Sequence, residues 1–266
     1  MSRILLAAFV AVLTSCLVPS AQAQTLDRIT KSGTLRIAFD PNVPPWSYKD
    51  SNLRYAGYEL MVAEKFAKDL GFKLEIVETN GANRIPLLMT NKVDLVFAAM
   101  TITDERKKVI EFSLPYGGTE TAVSGPIGAK VAAPADLVGK RIAVARGTVM
   151  DTQVSAIAPA GTEVVRFEDE STAMTAIVSR QLEFIAQSTS LNQTIMTKDP
   201  ALKIEPKVIL GTGLHGIGMR KGDDALKARV DAWVKANMAD GTLQKFFEQA
   251  HGMAMPKRVV EAATAP

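Results

Sequence analysis

The sequence contains little cysteine, little histidine and no excess of charge of one sign. Its 266 residues include one Cys and two His. One cysteine excludes a disulfide scaffold and a cysteine-built zinc or iron–sulfur site, and two histidines argue against a histidine-built metal centre. We therefore expect neither a metal nor a cofactor. The 31 basic and 28 acidic residues nearly balance, so the charge predicts no nucleic-acid partner.

Long apolar runs are also missing, apart from one at the N-terminus. Residues 1–23 have a positive charge near the start, at Arg3, then an apolar core over 4–13, and the A-x-A motif at 21–23. This pattern is typical of an export signal. The run is too short to span a bilayer, which needs about 20 residues. We predict cleavage after residue 23 and a periplasmic location. Cys16 leaves a second interpretation open, in which this cysteine is lipidated.

Strand and helix patterns alternate along the mature chain, and the alternation occurs twice, over about 34–115 and about 137–210. Such alternation predicts an α/β fold with largely parallel sheet. Extended stretches near 119–124 and 215–219 would carry the chain between two lobes. Lobes joined by two strands can close around a ligand. The alternative is one continuous sheet without a cleft.

The C-terminal part gives three further predictions. Residues 211–216 match the G-x-G-x-x-G pattern, but no helix pattern follows, so nucleotide binding is not expected and His215 is interpreted as a hinge or loop residue. Residues 224–238 predict an amphipathic helix that returns to the first lobe. Residues 257–266 predict a frayed polar tail.

The stretch 99–106 contains the first candidate binding residues. Thr103 is a good N-cap for a short helix, which places Arg106 in the first turn. The helix dipole disfavours a cation there, whereas an anion beside the guanidinium would stabilise it. The Thr101 hydroxyl and the turn amides could join Arg106 in binding such an anion. The alternative is an ion pair of Arg106 with a nearby acid: Asp104, Glu105 or Glu111.

The second unit has a corresponding strand-to-helix turn at 146–148. Gly147 and Thr148 could offer backbone N–H groups and a hydroxyl to the same anion from the opposite lobe. The alternative is a tight turn in which Thr148 only caps the following helix. The residues themselves are equally compatible with both interpretations.

These motifs, with several others, occur in the order found in a known family. The matching segments are 33–40, 44–48, 57–60, 92–95, 100–106, 112–116, 136–140, 146–148 and 240–242. The chain resembles the periplasmic solute-binding proteins of polar amino-acid ABC importers, the family 3 type. The resemblance implies a two-lobed, type II periplasmic-binding-protein fold. Lobe 1 would comprise 24–120 and 218–266, and lobe 2 would comprise 121–217.

The resemblance also implies roles for individual residues. Arg106 and Thr101, with the turn at Gly147 and Thr148, would hold the α-carboxylate of the ligand. The Ala99 carbonyl would meet its ammonium group, and Asp40 would lie at the cleft. Ser188 stands where the family has an Asp that pairs with the ammonium group. This difference leaves two possibilities open: a ligand without that group, or compensation by Asp40.

One segment bears on selectivity. Residues 83–88 (NRIPLL) resemble the glutamate- and aspartate-binding branch, in which the equivalent of Arg84 reaches a side-chain carboxylate. Arg84 would then favour an acidic amino acid. The alternative is an arginine at the rim or in a salt bridge.

We therefore predict a monomeric, exported binding protein without enzymatic activity. It would capture a small carboxylate-bearing solute, with an amino acid as the expectation, and deliver it to a membrane ABC permease. The competing hypothesis is an extracytoplasmic enzyme on the same fold, similar to cyclohexadienyl or arogenate dehydratases. Such an enzyme needs an acid or base in the cleft, for which Asp40 is the candidate.

Overall fold

The computed structural model describes residues 24–265. The predicted export signal and Cys16 lie outside this range. No helix in the described range is long and apolar enough to cross a membrane.

The described chain forms eleven strands and ten α-helices. The first half consists of α1 (Gln24–Ser32), β1 (Thr34–Phe39), β2 (Asn42–Val43), β3 (Ser47–Lys49), β4 (Tyr55–Ala56), α2 (Tyr58–Asp69), β5 (Lys73–Glu78), α3 (Arg84–Met89), β6 (Leu95–Val96), α4 (Asp104–Lys107) and β7 (Glu111–Pro126). The second half consists of β8 (Arg141–Ala145), α5 (Val149–Ile157), β9 (Glu163–Phe167), α6 (Glu170–Val178), β10 (Phe184–Ser188), α7 (Asn192–Lys198), β11 (Ile204–Met219), α8 (Asp224–Ala239), α9 (Thr242–His251) and α10 (Lys257–Thr264).

Two α/β lobes share one eight-stranded sheet, in the order β5-β1-β6-β11-β7-β10-β8-β9. In lobe 1, β1 pairs in parallel with β5 and β6. In lobe 2, β8 pairs in parallel with β9 and β10. The antiparallel strands β7 and β11, of 16 residues each, run through both lobes. The predicted two-lobed α/β fold with two crossings is therefore confirmed.

The crossing strands are longer than predicted. The sequence indicated short extended stretches near 119–124 and 215–219, whereas β7 and β11 pair from Ile204 opposite Pro126 to Met219 opposite Glu111. The ladder shifts register at four places in β11, between residues 206 and 208, 209 and 211, 215 and 216, and 216 and 218. Such bulges bend a strand locally. The predicted lobe boundaries fall inside these two strands.

The prediction of a frayed C-terminal tail is wrong. Residues 257–264 form α10, whose Val259 and Ala263 are fully buried at a spacing of one helical turn. The guanidinium of Arg258 donates a hydrogen bond of 2.9 Å to the carbonyl of Thr119 in β7. The helix forms because Val259 and Ala263, on one face, meet an apolar surface of lobe 1.

Candidate functional site

A small cavity lies between the lobes beside the two crossing strands. Its lining comprises Val43, Trp46, Arg84, Ala98, Ala99, Thr101, Arg106, Thr119, Thr148, Val149, Met150, Glu170, Ser188 and His215. Six of the eight predicted site residues are in this lining. The other two, Asp40 and Gly147, lie next to it rather than in it. No cluster of three His, Cys, Asp or Glu side chains within residues 24–265 could hold a metal ion.

Arg106 occupies the predicted position in the first turn of α4. The Thr103 hydroxyl caps this helix by accepting a hydrogen bond of 3.2 Å from the Arg106 N–H. The guanidinium donates to the carbonyl of Thr101 at 2.8 Å and, across the cleft, to the carbonyl of Gly147 at 3.3 Å. Burial, and secondarily the charge of Arg84, lowers the pKa of Arg106 to about 9. The side chain therefore remains a cation at neutral pH.

The alternative ion pair of Arg106 does not occur among the described residues. The neighbouring acids Asp104 and Glu105 instead pair with Lys107 and Lys108, on the exposed side of α4. The guanidinium at the cavity has carbonyl partners but no carboxylate, so an anionic ligand group would supply its missing counter-charge.

Thr148, in the second-lobe turn, both caps the following helix and lies at the cavity. The Thr148 hydroxyl accepts from the N–H of Asp151 at 3.2 Å and donates to the carbonyl of Ala145 at 2.8 Å. It therefore caps α5, as the alternative interpretation held, while the residue also lines the cleft. Gly147 contributes its carbonyl to Arg106, and its φ of 74° suits glycine.

Ala99 forms part of the cavity wall in an unusual backbone conformation. Its φ of 46° is uncommon for a residue with a Cβ. Its N–H donates a hydrogen bond of 3.0 Å to the buried carboxyl of Glu59, which also accepts from the Tyr116 hydroxyl at 2.6 Å. Burial raises the pKa of Glu59 to about 7, although both hydrogen bonds oppose this shift. Glu59 thus holds the turn that precedes Thr101.

Arg84 is not at the rim of the cleft. It is 5% exposed and lines the cavity. Its guanidinium donates to the carbonyl of Ala98 at 2.7 Å and to that of Gly81 at 3.4 Å. The described chain contains no salt bridge of Arg84, although its charge acts on Asp40 and Glu170. The alternative of a rim or salt-bridge arginine is therefore wrong, whereas the prediction that Arg84 binds a side-chain carboxylate stays a prediction.

Two buried acids lie on opposite sides of the cleft, and the sequence indicated only one of them. Asp40 is fully buried behind the lining, and its Oδ1 accepts hydrogen bonds from Asn42. Glu170 is 6% exposed and lines the cavity. Burial raises the pKa of Asp40 to about 6 and that of Glu170 to about 8. Sequence reasoning missed Glu170 because an Asp-Glu pair at a helix start resembles ordinary capping by Asp169.

Ser188, at the end of β10, belongs to a group of hydroxyls. Its Oγ is hydrogen-bonded to the Thr119 hydroxyl and, at 2.9 Å, to the Ser190 hydroxyl. The indole N–H of Trp46 donates to Ser190 Oγ at 3.3 Å. Because Trp46 lies in lobe 1 and Ser190 in lobe 2, this group connects the lobes. It offers polar but uncharged partners at the place where the family has an acid.

His215 is in the crossing strand β11, as the sequence indicated, but it also lines the cavity. Its ring lies 4.5 Å from that of Trp46, measured between centroids, and the residue is 2% exposed. Burial lowers the pKa of His215 to about 3, with the cationic Arg84 adding to the shift. The imidazole is therefore neutral at physiological pH, and its Nδ1 has no hydrogen-bond partner.

The lobes are closed on each other. Asn80 in lobe 1 donates a hydrogen bond of 2.7 Å to Glu168 in lobe 2, and Ser171 donates one of 3.4 Å to the Asn42 carbonyl. A Cβ on Gly81 would lie 2.9 Å from the carbonyl oxygen of Arg146 on the other lobe. A ligand can therefore enter only when the lobes separate.

A two-lobed fold, two crossing strands and a small cavity between the lobes, reached by a guanidinium without a carboxylate partner in residues 24–265, define a class of ligand-binding protein. The family model of bacterial extracellular solute-binding proteins, family 3, matches residues 35–253. The chain belongs to this family. The two-lobed fold and the class of solute-binding protein predicted from the sequence are thereby confirmed.

Individual relatives are consistent with this membership. The L-arginine-binding protein of Pseudomonas aeruginosa is 31% identical over 217 residues, covering 78% of this chain and 83% of the relative. A crystal structure of a mutant of the T. maritima ArgBP has a TM-score of 0.79 and 28% identity, with 86% of this chain and 100% of that chain covered. The ancestral amino-acid-binding protein AncCDT-1, a precursor of cyclohexadienyl dehydratase, has a TM-score of 0.77 and 32% identity, with 85% and 99% covered.

Proposed function

We propose that this protein binds a polar amino acid between its lobes in the periplasm and delivers it, with the lobes closed, to a membrane ABC permease. The residue that supports this most strongly is Arg106, whose guanidinium reaches the cavity and has no acidic partner among the described residues. The relatives that bind arginine, cystine, glutamine or histidine have amino acids in common as their ligands.

The α-carboxylate of the ligand would lie against Arg106, with the Thr101 hydroxyl beside it. Planar guanidinium groups bind carboxylates through two parallel hydrogen bonds, which fixes the orientation as well as the affinity. The backbone N–H of Thr148 would approach from lobe 2, whereas that of Gly147 donates to the Asp151 carboxylate at 3.3 Å. The ligand would thus join the two lobes, and its binding energy would favour closure.

The ligand's side chain would face Arg84 and Glu170, with Asp40 directly behind the lining. Two carboxyl oxygens in this group, Asp40 Oδ2 and Glu170 Oε2, are buried without a hydrogen-bond partner. Buried acceptors of this kind favour a ligand group that donates hydrogen bonds. We therefore propose a polar side chain rich in donors. A carboxylate side chain read by Arg84 is the alternative, and a preference for L-glutamate or L-aspartate would support it.

A thermal-shift screen over the twenty amino acids, followed by calorimetry on those that stabilise the fold, tests the proposal. A ligand at 100 times its Kd raises the free energy of unfolding by about 2.7 kcal/mol. At least one polar amino acid should do so, and Arg106→Ala should remove most of the effect. Absence of stabilisation by all twenty would contradict the proposal.

The cavity also supports a second candidate, an enzyme of the dehydratase type. Glu170 lines the cavity and remains protonated to about pH 8, which suits a general acid, whereas Asp40 lies behind the lining. Incubation with prephenate or arogenate and an assay for the aromatic product tests this candidate. Product formation that disappears in Glu170→Gln would favour the enzyme over the binding protein.

A further inference from the structure

Asp40 and Glu170 are buried on opposite lobes of the cleft, and the charge of Asp40 acts on Glu170. Asp40 follows β1 in lobe 1, and Glu170 begins α6 in lobe 2. Asn42 connects them, because its amide and N–H donate to Asp40 Oδ1 at 3.2 and 3.1 Å while its carbonyl accepts from Ser171, the residue after Glu170. The bond from Ser171 to Asn42 crosses the cleft, so it ties the segment that carries Glu170 to the segment that carries Asp40 in the closed state.

The surroundings of the pair contain too little positive charge for two carboxylates. Arg84 on α3 is the cation that acts on both acids, and Asp169 at the start of α6 adds a further negative charge. Arg84 donates to the carbonyls of Ala98 and Gly81, and it forms no ion pair in the described chain. Asp40 Oδ2 and Glu170 Oε2 are left buried and unpartnered. Charged groups in such places need a counter-charge or a proton.

We propose that the closed cleft holds one exchangeable positive charge between Asp40 and Glu170. This charge is a proton when the ligand brings no cation to the pair, and it is the ligand's own cationic group when the side chain carries one. The pair would thus determine which ligand charge the site accepts at a given pH. The part of the inference that concerns ligands rests on the proposed function, whereas the part that concerns lobe closure does not.

The direction of the linkage follows from burial. In the closed cleft, burial and the mutual repulsion of the two acids raise the pKa of Glu170 to about 8. In an open cleft the carboxyl faces water, where a glutamate has a pKa of about 4.3. Closure around a ligand without a cation therefore takes up a proton, and it is favoured at low pH. Between pH 6 and 8, the ratio of closed to open molecules should fall about tenfold for each pH unit.

Lobe closure without any ligand is the first test. The only cysteine in the sequence, Cys16, precedes the predicted cleavage site. Spin labels can therefore be placed on the mature chain by Lys68→Cys in lobe 1 and Ala160→Cys in lobe 2, both exposed. Pulsed electron spin resonance should show that the closed fraction decreases from pH 6 to 8. Glu170→Gln should remove most of this pH dependence, Asp40→Asn should reduce it, and the exposed control Glu183→Gln should retain it.

The second test compares L-arginine with L-citrulline, which have similar shapes but differ in side-chain charge. Calorimetry in buffers of different ionisation enthalpy should show uptake of about one proton with citrulline at pH 7 and none with arginine. The preference for arginine should increase about tenfold per pH unit between pH 6 and 8. In Glu170→Gln this preference should no longer depend on pH.

The outcomes separate the two proposals. A closed fraction that does not change with pH in the wild-type chain, or a change that persists in both Glu170→Gln and Asp40→Asn, would overturn the inference. If neither L-arginine nor L-citrulline binds, these two compounds are excluded as ligands, which counts against the proposed ligand with a donor-rich side chain. The measurement of lobe closure then decides the inference by itself.

Discussion

The guanidinium of Arg106 lies 3.3 Å from the carbonyl oxygen of Gly147, although the two residues belong to opposite lobes. The same side chain donates to the carbonyl of Thr101, next to the cavity, at 2.8 Å. One cation thus contacts both sides of the cleft while no acid of the described chain neutralises it. A ligand carboxylate placed there would complete the site and hold the lobes together.

Arg106→Ala should therefore weaken binding of the amino acid that gives the largest stabilisation in the screen. Removing one partner of a buried, hydrogen-bonded charge pair costs about 2–5 kcal/mol, or about 30-fold or more in Kd. Calorimetry measures this loss. Arg146→Ala, an exposed arginine in the second-lobe turn, is the matched control and should bind like the wild type. An unchanged Kd in Arg106→Ala would contradict the assigned role.

Gly81→Ala should disfavour the closed state without damaging the fold. An added Cβ would lie 2.9 Å from the Arg146 carbonyl oxygen and 3.0 Å from Thr148 Cγ2, both on the opposite lobe. The φ of Gly81 is not in the left-handed region, so the alanine brings no backbone strain. We expect weaker ligand binding and a free energy of unfolding within about 1 kcal/mol of the wild type. Gly128→Ala, with open space around the new Cβ, is the control.

Calorimetry and denaturant unfolding together check this prediction. Wild-type affinity in Gly81→Ala would mean that the lobes of the ligand-bound protein lie farther apart at Gly81 than they do in this structure. A large loss in the free energy of unfolding would mean that the fold of lobe 1 requires a glycine at position 81.

Glu59→Gln should make stability less dependent on pH. The pKa of the folded-state carboxyl, about 7, lies above that of an unfolded glutamate, about 4.3, so the unfolded chain ionises first. The stabilisation from Glu59 is therefore complete at low pH and is lost as pH rises toward 7. Relative to the wild type, Glu59→Gln should gain more than about 1 kcal/mol between pH 5 and 8. Unfolding in urea at both pH values measures this, with the exposed Glu64→Gln on the same helix as control. Parallel pH profiles for all three proteins would contradict the prediction.

Val259→Ala should destabilise the fold, because α10 is part of the packed structure. The Val259 side chain is fully buried, and losing two methyl groups from a core costs about 2 kcal/mol. Thermal unfolding of this variant should show a lower Tm, whereas the exposed Glu261→Ala in the same helix should show little change. Equal melting temperatures would indicate that α10 is not packed against lobe 1 in solution.

Local patterns in the sequence predicted much of the site. Capping by Thr103 and the first-turn position of Arg106 follow from neighbouring residues, so they could be derived without the fold. The role of Glu170 could not, because its burial depends on the opposite lobe and its local pattern is that of a helix start. Asp40 was expected at the cleft but lies behind the lining, where Asn42 holds it.

The longer crossing strands and α10 were missed for a related reason. Residues 204–214 pair with residues of β7 that lie 78 to 96 positions earlier in the chain, and that pairing is invisible to a local pattern. The two buried residues of α10, Val259 and Ala263, find an apolar surface only after lobe 1 has formed. In both cases contacts distant in sequence decide the local structure.

The register shifts of β11 have a mechanical consequence. The ladder loses its regular pairing between residues 209 and 211 and again around 215–218, on either side of the segment that passes the cavity. Rotation of one half of the molecule against the other would concentrate at these irregular points, where few regular hydrogen bonds must distort. His215, close to such an axis, would then move little, while the bond between Asn80 and Glu168, which joins the two lobes, would have to break.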